Sequence, residues 1–334
     1  YISISKKFFM KKYLLFYLLI IVFLGCKNNP KTKENSSSVI EKQEKYTISN
    51  DTIKVSVKTF GAELTSIQLK DKEYLWQADT TYWKHQSPNL FPIIGRLKDH
   101  EFYYKDSLYK MSFHGFTWKN NFNLIEKTQN SLIFDLVSSN KTKKQYPFDF
   151  KLQIKYVLKN NILNVHYIVE NTDPKEDLYF SIGAHPAFNI PLEKGQHRNE
   201  YELVFDTDEM PTSRNKKSGL FVDSYTQYFD KPGVLQIKDT TFLRGALVFN
   251  PNPFTKATLV HKPTEKQLFT IHFKDFPYLG IWTQPNPKTP FIAIEPWFGV
   301  AENIHHNKDF TQKEGIQKLP ANGVFKAKYS VEIH

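Results

Sequence analysis

Four short stretches of the chain place side chains that can exchange protons or bind polar ligands among apolar and aromatic neighbours. They are SPNLFPIIGRLK (residues 87–98), FHGFTW (113–118), SIGAHPAFNIPL (181–192) and FIAIEPWFGV (291–300). The side chains of interest are Arg96, His114, His185 and Glu295. Imidazole and carboxylate groups have ordinary pKa values close enough to neutrality for acid–base catalysis. Structural roles are the competing interpretation, because a histidine in an aromatic run is commonly a core residue and a lone arginine commonly forms a surface ion pair.

Glu295 carries the strongest signal of the four. An ionised carboxylate in apolar surroundings costs free energy unless it is paired, hydrogen-bonded or used in chemistry. If FIAIEPW forms a strand, alternate side chains share a face. One face then carries Phe291, Ala293, Glu295 and Trp297, and the other carries Ile292, Ile294 and Phe298. A carboxylate next to an aromatic ring, with a fully apolar opposite face, indicates a polar ligand pocket with a stacking wall.

The elements that must position these residues have a period of two. TIKVSVKTF, near the start of the region after Tyr46, alternates apolar and polar side chains as a half-buried strand does. The clearest hairpin is FKLQIKYVLKNNILNVHYIVEN, in which Asn160 and Asn161 form the turn. No amphipathic stretch of helical length follows residue 46. The sequence therefore predicts one all-β domain over residues 46–334, built as two packed antiparallel sheets.

Charge and motif content exclude several function classes. The formal net charge is +11, but residues 1–50 hold nine Lys and three Glu and so account for more than half of it. No nucleic-acid recognition motif accompanies the remaining charge, so nucleic-acid binding is not predicted. The sequence has no phosphate-binding loop, GxGxxG, GxSxG or HExxH motif. The eleven His have no metal-ligand spacing, and no metal site is predicted.

The amino-terminal segment has the features of an export signal. Lys11 and Lys12 precede an apolar run that ends at Gly25 and is followed by Cys26, the one cysteine of the chain. FLGC resembles a bacterial lipoprotein signal, in which the cysteine is lipidated and becomes the new amino terminus; an uncleaved amphiphilic anchor is the alternative. Residues 27–45 are polar and predict a disordered tether. We expect residues 1–26 to act as the signal of an exported lipoprotein, held by lipid on the periplasmic side or at the outer membrane.

The four stretches, taken in order, resemble a known family. FPIIGR, HGF, HPAFNIP and IEPW are similar in type and order to motifs of the aldose 1-epimerases, or mutarotases, and especially of their bacterial branch with the HGF and HPAF forms. The resemblance covers roughly residues 50–330 and implies the galactose mutarotase-like fold, a large antiparallel β-sandwich. It implies that His185 is the general acid, that Glu295 is the general base, and that Arg96 and His114 hold the sugar. It implies no cofactor and no protein partner.

The chemistry of such an isomerase explains these residue types. A pyranose changes anomer when its ring opens, the C1–C2 bond rotates and the ring closes on the other face. Opening removes the proton of the C1 hydroxyl while the ring oxygen is protonated, which a carboxylate and an imidazolium on either side of the ring can do together. Trp297 can pack against the apolar C–H surface of the sugar.

Two departures from the family pattern keep alternatives open. HGF is often followed by Ala-Arg in the family, whereas this chain has Thr117 and Trp118, and the acid often found before the Ala-Leu-x-Phe strand is Gly245 here. The acid after IEPWxG is Glu302 rather than the commoner Asp. The leading hypothesis is an aldose 1-epimerase acting on free sugars such as glucose or galactose. One alternative is a hexose-6-phosphate mutarotase, which needs a cationic site for the phosphate; the chain has only four Arg, which disfavours it. The other alternative is a non-catalytic sugar-binding lipoprotein.

Overall fold

Residues of alternating polarity form strands throughout residues 43–334, the part of the chain that the computed structural model describes. The strands are β1 (Lys45–Ser49), β2 (Ile53–Lys58), β3 (Leu64–Leu69), β4 (Lys72–Glu73), β5 (Asn89–Leu90), β6 (Glu101–Tyr104), β7 (Ser107–Lys110), β8 (Asn123–Lys127), β9 (Ser131–Val137), β10 (Phe150–Lys159), β11 (Ile162–Asn171), β12 (Leu178–Phe180), β13 (Ile182–Ala184), β14 (Ala187–Asn189), β15 (Tyr201–Phe205), β16 (Thr212–Lys217), β17 (Leu220–Gln227), β18 (Val234–Gln236), β19 (Leu247–Phe249), β20 (Lys256–His261), β21 (Lys266–His272), β22 (Tyr278–Trp282), β23 (Phe291–Phe298), β24 (Gln317–Leu319) and β25 (Val324–Ile333).

Helices in the described range are short. The α-helix α1 spans Asn140–Lys143, and its Ser139 cap accepts a hydrogen bond from the backbone of Thr142. Single 3₁₀ turns occur at Lys98–His100, Thr117–Lys119, Arg198–Glu200, Lys262–Thr264 and Phe310–Gln312. No helix within residues 43–334 is long and apolar enough to span a membrane.

The predicted hairpin is confirmed as the pair β10 and β11. Lys159 pairs with Ile162 across the two-residue turn, and Asn160 has the positive φ of 52° that Asn tolerates better than most residues. Buried and partly exposed residues alternate along both strands, because one face of the hairpin covers the core and the other meets solvent. Each strand also pairs outward, β10 with β9 and β11 with β25, which extends the hairpin into the largest sheet.

Two large antiparallel sheets supply the layers. The nine-stranded sheet has the order β18-β15-β20-β21-β25-β11-β10-β9-β8. The six-stranded sheet has the order β19-β22-β23-β13-β5, with β14 also paired to β23. A four-stranded sheet of β1 to β4 and three two-stranded ribbons complete the described part. The predicted all-β sandwich is confirmed, and the four-stranded sheet is an addition to it.

The main core lies between these layers, and the six-stranded sheet is buried on both faces. Ile154 and Val165 of the nine-stranded sheet belong to the same apolar cluster as Ile292 and Ile294 of β23. The other face of β23 contributes Trp297 to a separate, smaller cluster. A strand that is covered on both faces has no polar side to present to water, so any charged residue on it must be compensated locally.

The described range begins close to the predicted domain boundary. The backbone of Glu44 exchanges hydrogen bonds with Thr59, and β1 starts at Lys45, one residue before the predicted domain start. Lys45, the last residue of the predicted tether, pairs with Lys58 and therefore belongs to the sheet. Cys26, the signal over residues 1–26 and the tether up to residue 42 lie outside the described residues and stay predictions.

Candidate active site

β23 positions Glu295 and Trp297 on one face of the six-stranded sheet. Glu295 lies opposite Gly280 of β22, and Trp297 lies opposite Gly183 of β13. Both side chains line a cavity of about 380 Å³, which we call the Glu295 cavity. Ile294, by contrast, points into the main core. The predicted alternation of faces along this strand is confirmed.

Two glycines make room for the Trp297 ring. A Cβ atom on Gly280 would lie 2.4 Å from Cη2 of Trp297, and one on Gly183 would lie 2.5 Å from Cδ1. A side chain at either position would force the ring or the strand to shift, because real Cβ atoms essentially never lie that close to another atom. The indole lies against the backbone of both neighbouring strands, and its Nε1 donates a hydrogen bond to the carbonyl of Ala184 at 3.2 Å. Trp297 is thereby held as a rigid wall of the Glu295 cavity.

His185 lies at the break between β13 and β14, which both pair with β23. Its ring stacks on Trp83 with centroids 4.8 Å apart, and the rings of Trp282 and His114 meet it edge to face at 5.5 and 5.6 Å. Its Nε2 lies 3.1 Å from Oε2 of Glu295. That oxygen is buried and has no well-formed hydrogen bond with any described residue, so it is free to accept one from a ligand.

His114 is held by the backbone in an unusual conformation. It has a φ of 61°, and Gly115 follows with a φ of 76°, where a Cβ would lie 2.2 Å from the carbonyl oxygen of Phe91. The backbone of Gly95 donates to Nδ1 of His114 at 3.1 Å, and the amide of His114 donates back to the Gly95 carbonyl at 3.0 Å. An Nδ1 that accepts leaves the proton of the neutral ring on Nε2. His114, which lines the Glu295 cavity, is therefore a hydrogen-bond donor there.

Arg96 lies beside the Glu295 cavity rather than in its lining. A Cβ on Gly219 would lie 3.2 Å from Nε of Arg96, so this arginine packs against the turn that joins β16 and β17. Gly219 does line the cavity. The contact between Arg96 and a sugar stays a prediction. In the structure, Arg96 supports the turn between β16 and β17.

The β16–β17 hairpin brings Lys216 into the site, which the sequence reading missed. Ser218 and Gly219 have φ values of 53° and 82°, as a two-residue turn of primed type requires. Phe221 belongs to the same small apolar cluster as Trp297, and Ser213 Oγ accepts the backbone N–H of Val248 at 2.9 Å. Lys216 lines the Glu295 cavity from this anchored hairpin. The Ser-Gly pair in NKKSGL is the sequence feature that could have predicted this hairpin.

Two cavities meet at the site. The Trp118 cavity, also about 380 Å³ and lined by Trp83 and Trp118, shares His114 and His185 with the Glu295 cavity. Trp118 meets the ring of His85 edge to face at 5.2 Å, and the ammonium of Lys119 lies 4.3 Å from its ring centroid. Trp118, which with Thr117 replaces the Ala-Arg that often follows HGF in the family, therefore lies at the border of the site. The sequence analysis did not select Trp83 or Trp282, because an isolated tryptophan is commonly a largely buried core residue.

The other two departures have different surroundings. Gly245 lines the Glu295 cavity with a φ of 88°, and a side chain there would meet no atom within 4 Å. Glu302 is fully buried and accepts the backbone N–H of Lys98 at 2.6 Å. Its own backbone bonds to the carbonyl of Arg96 and to the amide of Phe221. Glu302 therefore ties the loop after residue 96 to the β16–β17 hairpin.

Burial controls the charge of the site. It lowers the pKa of His185 to about 3 and the pKa of His114 well below its usual value. It raises the pKa of Glu295 well above its usual value, an effect that the ammonium of Lys216 opposes. Burial lowers the pKa of Lys216 to about 8, so its ammonium stays charged at neutral pH. Lys216 therefore favours the ionised form of Glu295, against the effect of burial.

This arrangement is suited to proton exchange with a polar ligand. A neutral donor, an imidazole beside a carboxyl group and an aromatic wall converge on one cavity large enough for a small molecule. Within residues 43–334, no group of three or more His, Cys, Asp or Glu side chains is arranged to hold a metal ion.

Comparison with known proteins identifies the family. Residues 44–319 match the model of the aldose 1-epimerase family. Protein LacX of Lactococcus lactis subsp. lactis is 32% identical over 297 residues, which cover 86% of this chain and 98% of that protein. A galactose mutarotase related enzyme from Lactobacillus acidophilus superposes with a TM-score of 0.81 at 30% identity, over 87% of this chain and 97% of that one. A galactose mutarotase-like protein from Lactobacillus casei has the same TM-score and identity, over 87% of this chain and 100% of that one. The chain belongs to the aldose 1-epimerase family.

Proposed function

We propose that this protein is an active mutarotase, an isomerase that interconverts the α and β anomers of aldoses such as glucose or galactose. The observation that carries the proposal is the 3.1 Å approach of His185 Nε2 to Glu295 Oε2 inside the Glu295 cavity. The sequence reading placed these groups on either side of the ring. Groups that lie side by side can serve the same reaction, because the C1 hydroxyl oxygen and the ring oxygen are bonded to the same carbon.

The proton balance of the pair supports a reversible cycle. When the ring opens, His185 gives its proton to the ring oxygen, which keeps the electron pair of the broken C1–O bond. Glu295 takes the proton of the C1 hydroxyl, and the electron pair of that O–H bond completes the carbonyl at C1. After rotation about C1–C2, both transfers run backward on the other face. The pair holds one proton before and after, so the site is regenerated.

The surrounding residues fit binding roles in this cycle. His114 presents an Nε2–H donor to a hydroxyl or ring oxygen, and Trp297 offers a flat face to the C–H side of the sugar. The contact between Trp83 and His185 fixes the imidazole plane. Holding the acid, the base and the ring in one geometry is the main contribution that such a rigid site makes.

Polarimetry on freshly dissolved α-glucose and α-galactose tests the proposal. We expect His185→Gln and Glu295→Gln each to lower the enzymatic rate by about 10²–10⁴-fold, the usual contribution of one acid or base. His272 and Glu332 offer a matched control, since they form a second His–Glu pair, at 3.3 Å, on β21 and β25 and outside the Glu295 and Trp118 cavities. His272→Gln and Glu332→Gln should keep the parent rate. Sugar binding without any rate acceleration in the parent protein would contradict the proposal and leave a binding protein on this fold.

A further inference from the structure

Two cations line the Glu295 cavity without a carboxylate partner. Neither Lys216 nor Arg244 forms a salt bridge with any acid in residues 43–334. Arg214, two residues before Lys216 on β16, is by contrast paired with Glu314 and Asp223 at 2.8 and 3.3 Å. On this strand Arg214 is therefore neutralised by acids, whereas Lys216 is unpaired and faces the cavity.

The unpaired state of Lys216 has an energetic cost. Its side chain is half-buried, and burial lowers its pKa to about 8. A partly desolvated ammonium gains when an anion approaches it, because the lost hydration is replaced by a direct charge interaction. Glu295 supplies long-range compensation only, since it forms no salt bridge with Lys216, and it is the one acid in the lining of the cavity.

The space beyond these cations is polar. A further cavity of about 430 Å³, which we call the Tyr228 cavity, shares Lys216, Arg244 and Ala246 with the Glu295 cavity. Its other lining includes Arg214, which is paired with Glu314 and Asp223, and no acid. The polar side chains of the lining are those of Ser213, Asn215, Ser224 and Tyr228. A group that passes between Lys216 and Arg244 therefore meets two unpaired positive charges and hydrogen-bonding side chains, while no carboxylate lines the cavity.

We propose that Lys216 and Arg244 form a subsite for an anionic group on the substrate, so that the site prefers acidic aldoses to neutral ones. Carboxylate and phosphate are both anions that a lysine and an arginine bind by charge-assisted hydrogen bonds, so the shared chemistry is a sugar acid or a sugar phosphate. The inference rests on the proposed mutarotase function and assigns its substrate class.

Anomer exchange measured by NMR on glucose, glucuronate and glucose 6-phosphate tests the subsite. In the full chain, we expect Lys216→Met and Arg244→Gln to lower kcat/KM for an acidic sugar by about tenfold more than for glucose, as loss of one charge-assisted contact does. Lys217→Met is the matched control, because Lys217 is exposed, stands on the same strand and lines none of the three cavities. An effect confined to glucuronate assigns a carboxylate, and one confined to glucose 6-phosphate assigns a phosphate.

The outcomes separate the subsite from the proposed function. If the parent protein accelerates glucose and the ratio of acidic to neutral kcat/KM is unchanged in both variants, or falls equally in Lys217→Met, the subsite is wrong and the function stands. If the parent protein accelerates no sugar, the function fails. Calorimetry with the same three sugars then decides the subsite: tighter binding of an acidic sugar that is lost in Lys216→Met supports it, and equal binding of all three overturns it.

Discussion

Burial determines which protons the His185–Glu295 pair can exchange. Both groups are taken out of water, so burial disfavours the charged form of each: it lowers the pKa of His185 and raises the pKa of Glu295. The proposed ring opening begins from the charged arrangement, with the proton on His185 and Glu295 ionised. Lys216 is the residue whose charge shifts the balance toward it. The same lysine thus serves the reacting pair as well as the proposed anion subsite.

Lys216→Met is expected to change the pH profile of kcat. In the parent protein the pKa of Lys216 is about 8, so its ammonium is present below that pH and lost above it. We expect the parent kcat to fall as pH rises through about 8. The variant should have a kcat about tenfold lower at pH 7, short of the loss for removal of the acid or base, and no inflection near pH 8.

Measurement of kcat for glucose between pH 6 and pH 9.5 checks this expectation. Lys217→Met, which makes the same change of net charge one residue away, should keep the parent profile. An inflection near pH 8 that persists in Lys216→Met would assign the titration to another group.

Strand pairing is the element-scale device that assembles the site. His185 and Glu295 are far apart in the chain, and the pairing of β13 and β14 with β23 brings them together. The wall residue Trp297 depends on the same pairing, since Gly183 and Gly280 on the flanking strands let its ring lie flat. A glycine in a strand interior ordinarily destabilises the strand. Here the missing side chain lets an aromatic ring approach the backbone closely.

Gly280→Ala tests this packing. Without a clash, alanine would stabilise the strand by about 0.5–1 kcal/mol, because glycine loses more backbone entropy on folding. The new Cβ would lie 2.4 Å from the Trp297 ring, so we expect a net loss of about 1–3 kcal/mol in the free energy of unfolding, measured by urea denaturation. In a Trp297→Leu background the alanine should cost much less. An equal cost in both backgrounds would show that the ring is not what the alanine meets.

At the scale of the whole molecule, the site occupies the face of the six-stranded sheet that points away from the main core. The apolar cluster between the large sheets contains the bulk of the buried side chains, and the groups that titrate in the site lie outside it. The sandwich can therefore hold ionisable residues in fixed positions without disturbing the packing that stabilises it. The cost of burying them appears instead as a pH dependence of stability.

Acid is expected to destabilise the protein through its buried imidazoles. The pKa of His185 is about 3 in the folded protein and about 6.5 in the unfolded chain. Between these pH values the unfolded chain binds a proton that the folded protein does not, so stability falls as pH is lowered. His185→Gln should remove up to about 2 kcal/mol of the stability loss between pH 7 and pH 5.

Urea denaturation of both proteins at the two pH values measures the effect. His272→Gln, at a half-exposed strand position outside the cavities, serves as the control and should lose as much stability as the parent protein. The expectation fails if His185→Gln and the parent protein lose the same stability on acidification.

Local pattern in the sequence determined the β architecture. The alternation along FKLQIKYVLK and its partner predicted the β10–β11 hairpin, because a strand that covers a core on one face must alternate. The same rule placed Glu295 and Trp297 on one face of β23, and the order of four motifs indicated the family. These properties depend on neighbours in the chain or on the presence of particular short segments, which a sequence displays directly.

Tertiary structure alone decided which distant residues share the site. Trp83, Trp282 and Lys216 come from a loop, a strand and a hairpin with no common motif. Only the tertiary fold brings the two tryptophans against His185 and places Lys216 in the lining of the same cavity. It also decided that Arg96 packs behind the Gly219 turn and that the acid and base are in contact. Periodicity specifies the face on which a side chain lies, whereas the residue that it meets depends on contacts between segments a hundred residues apart.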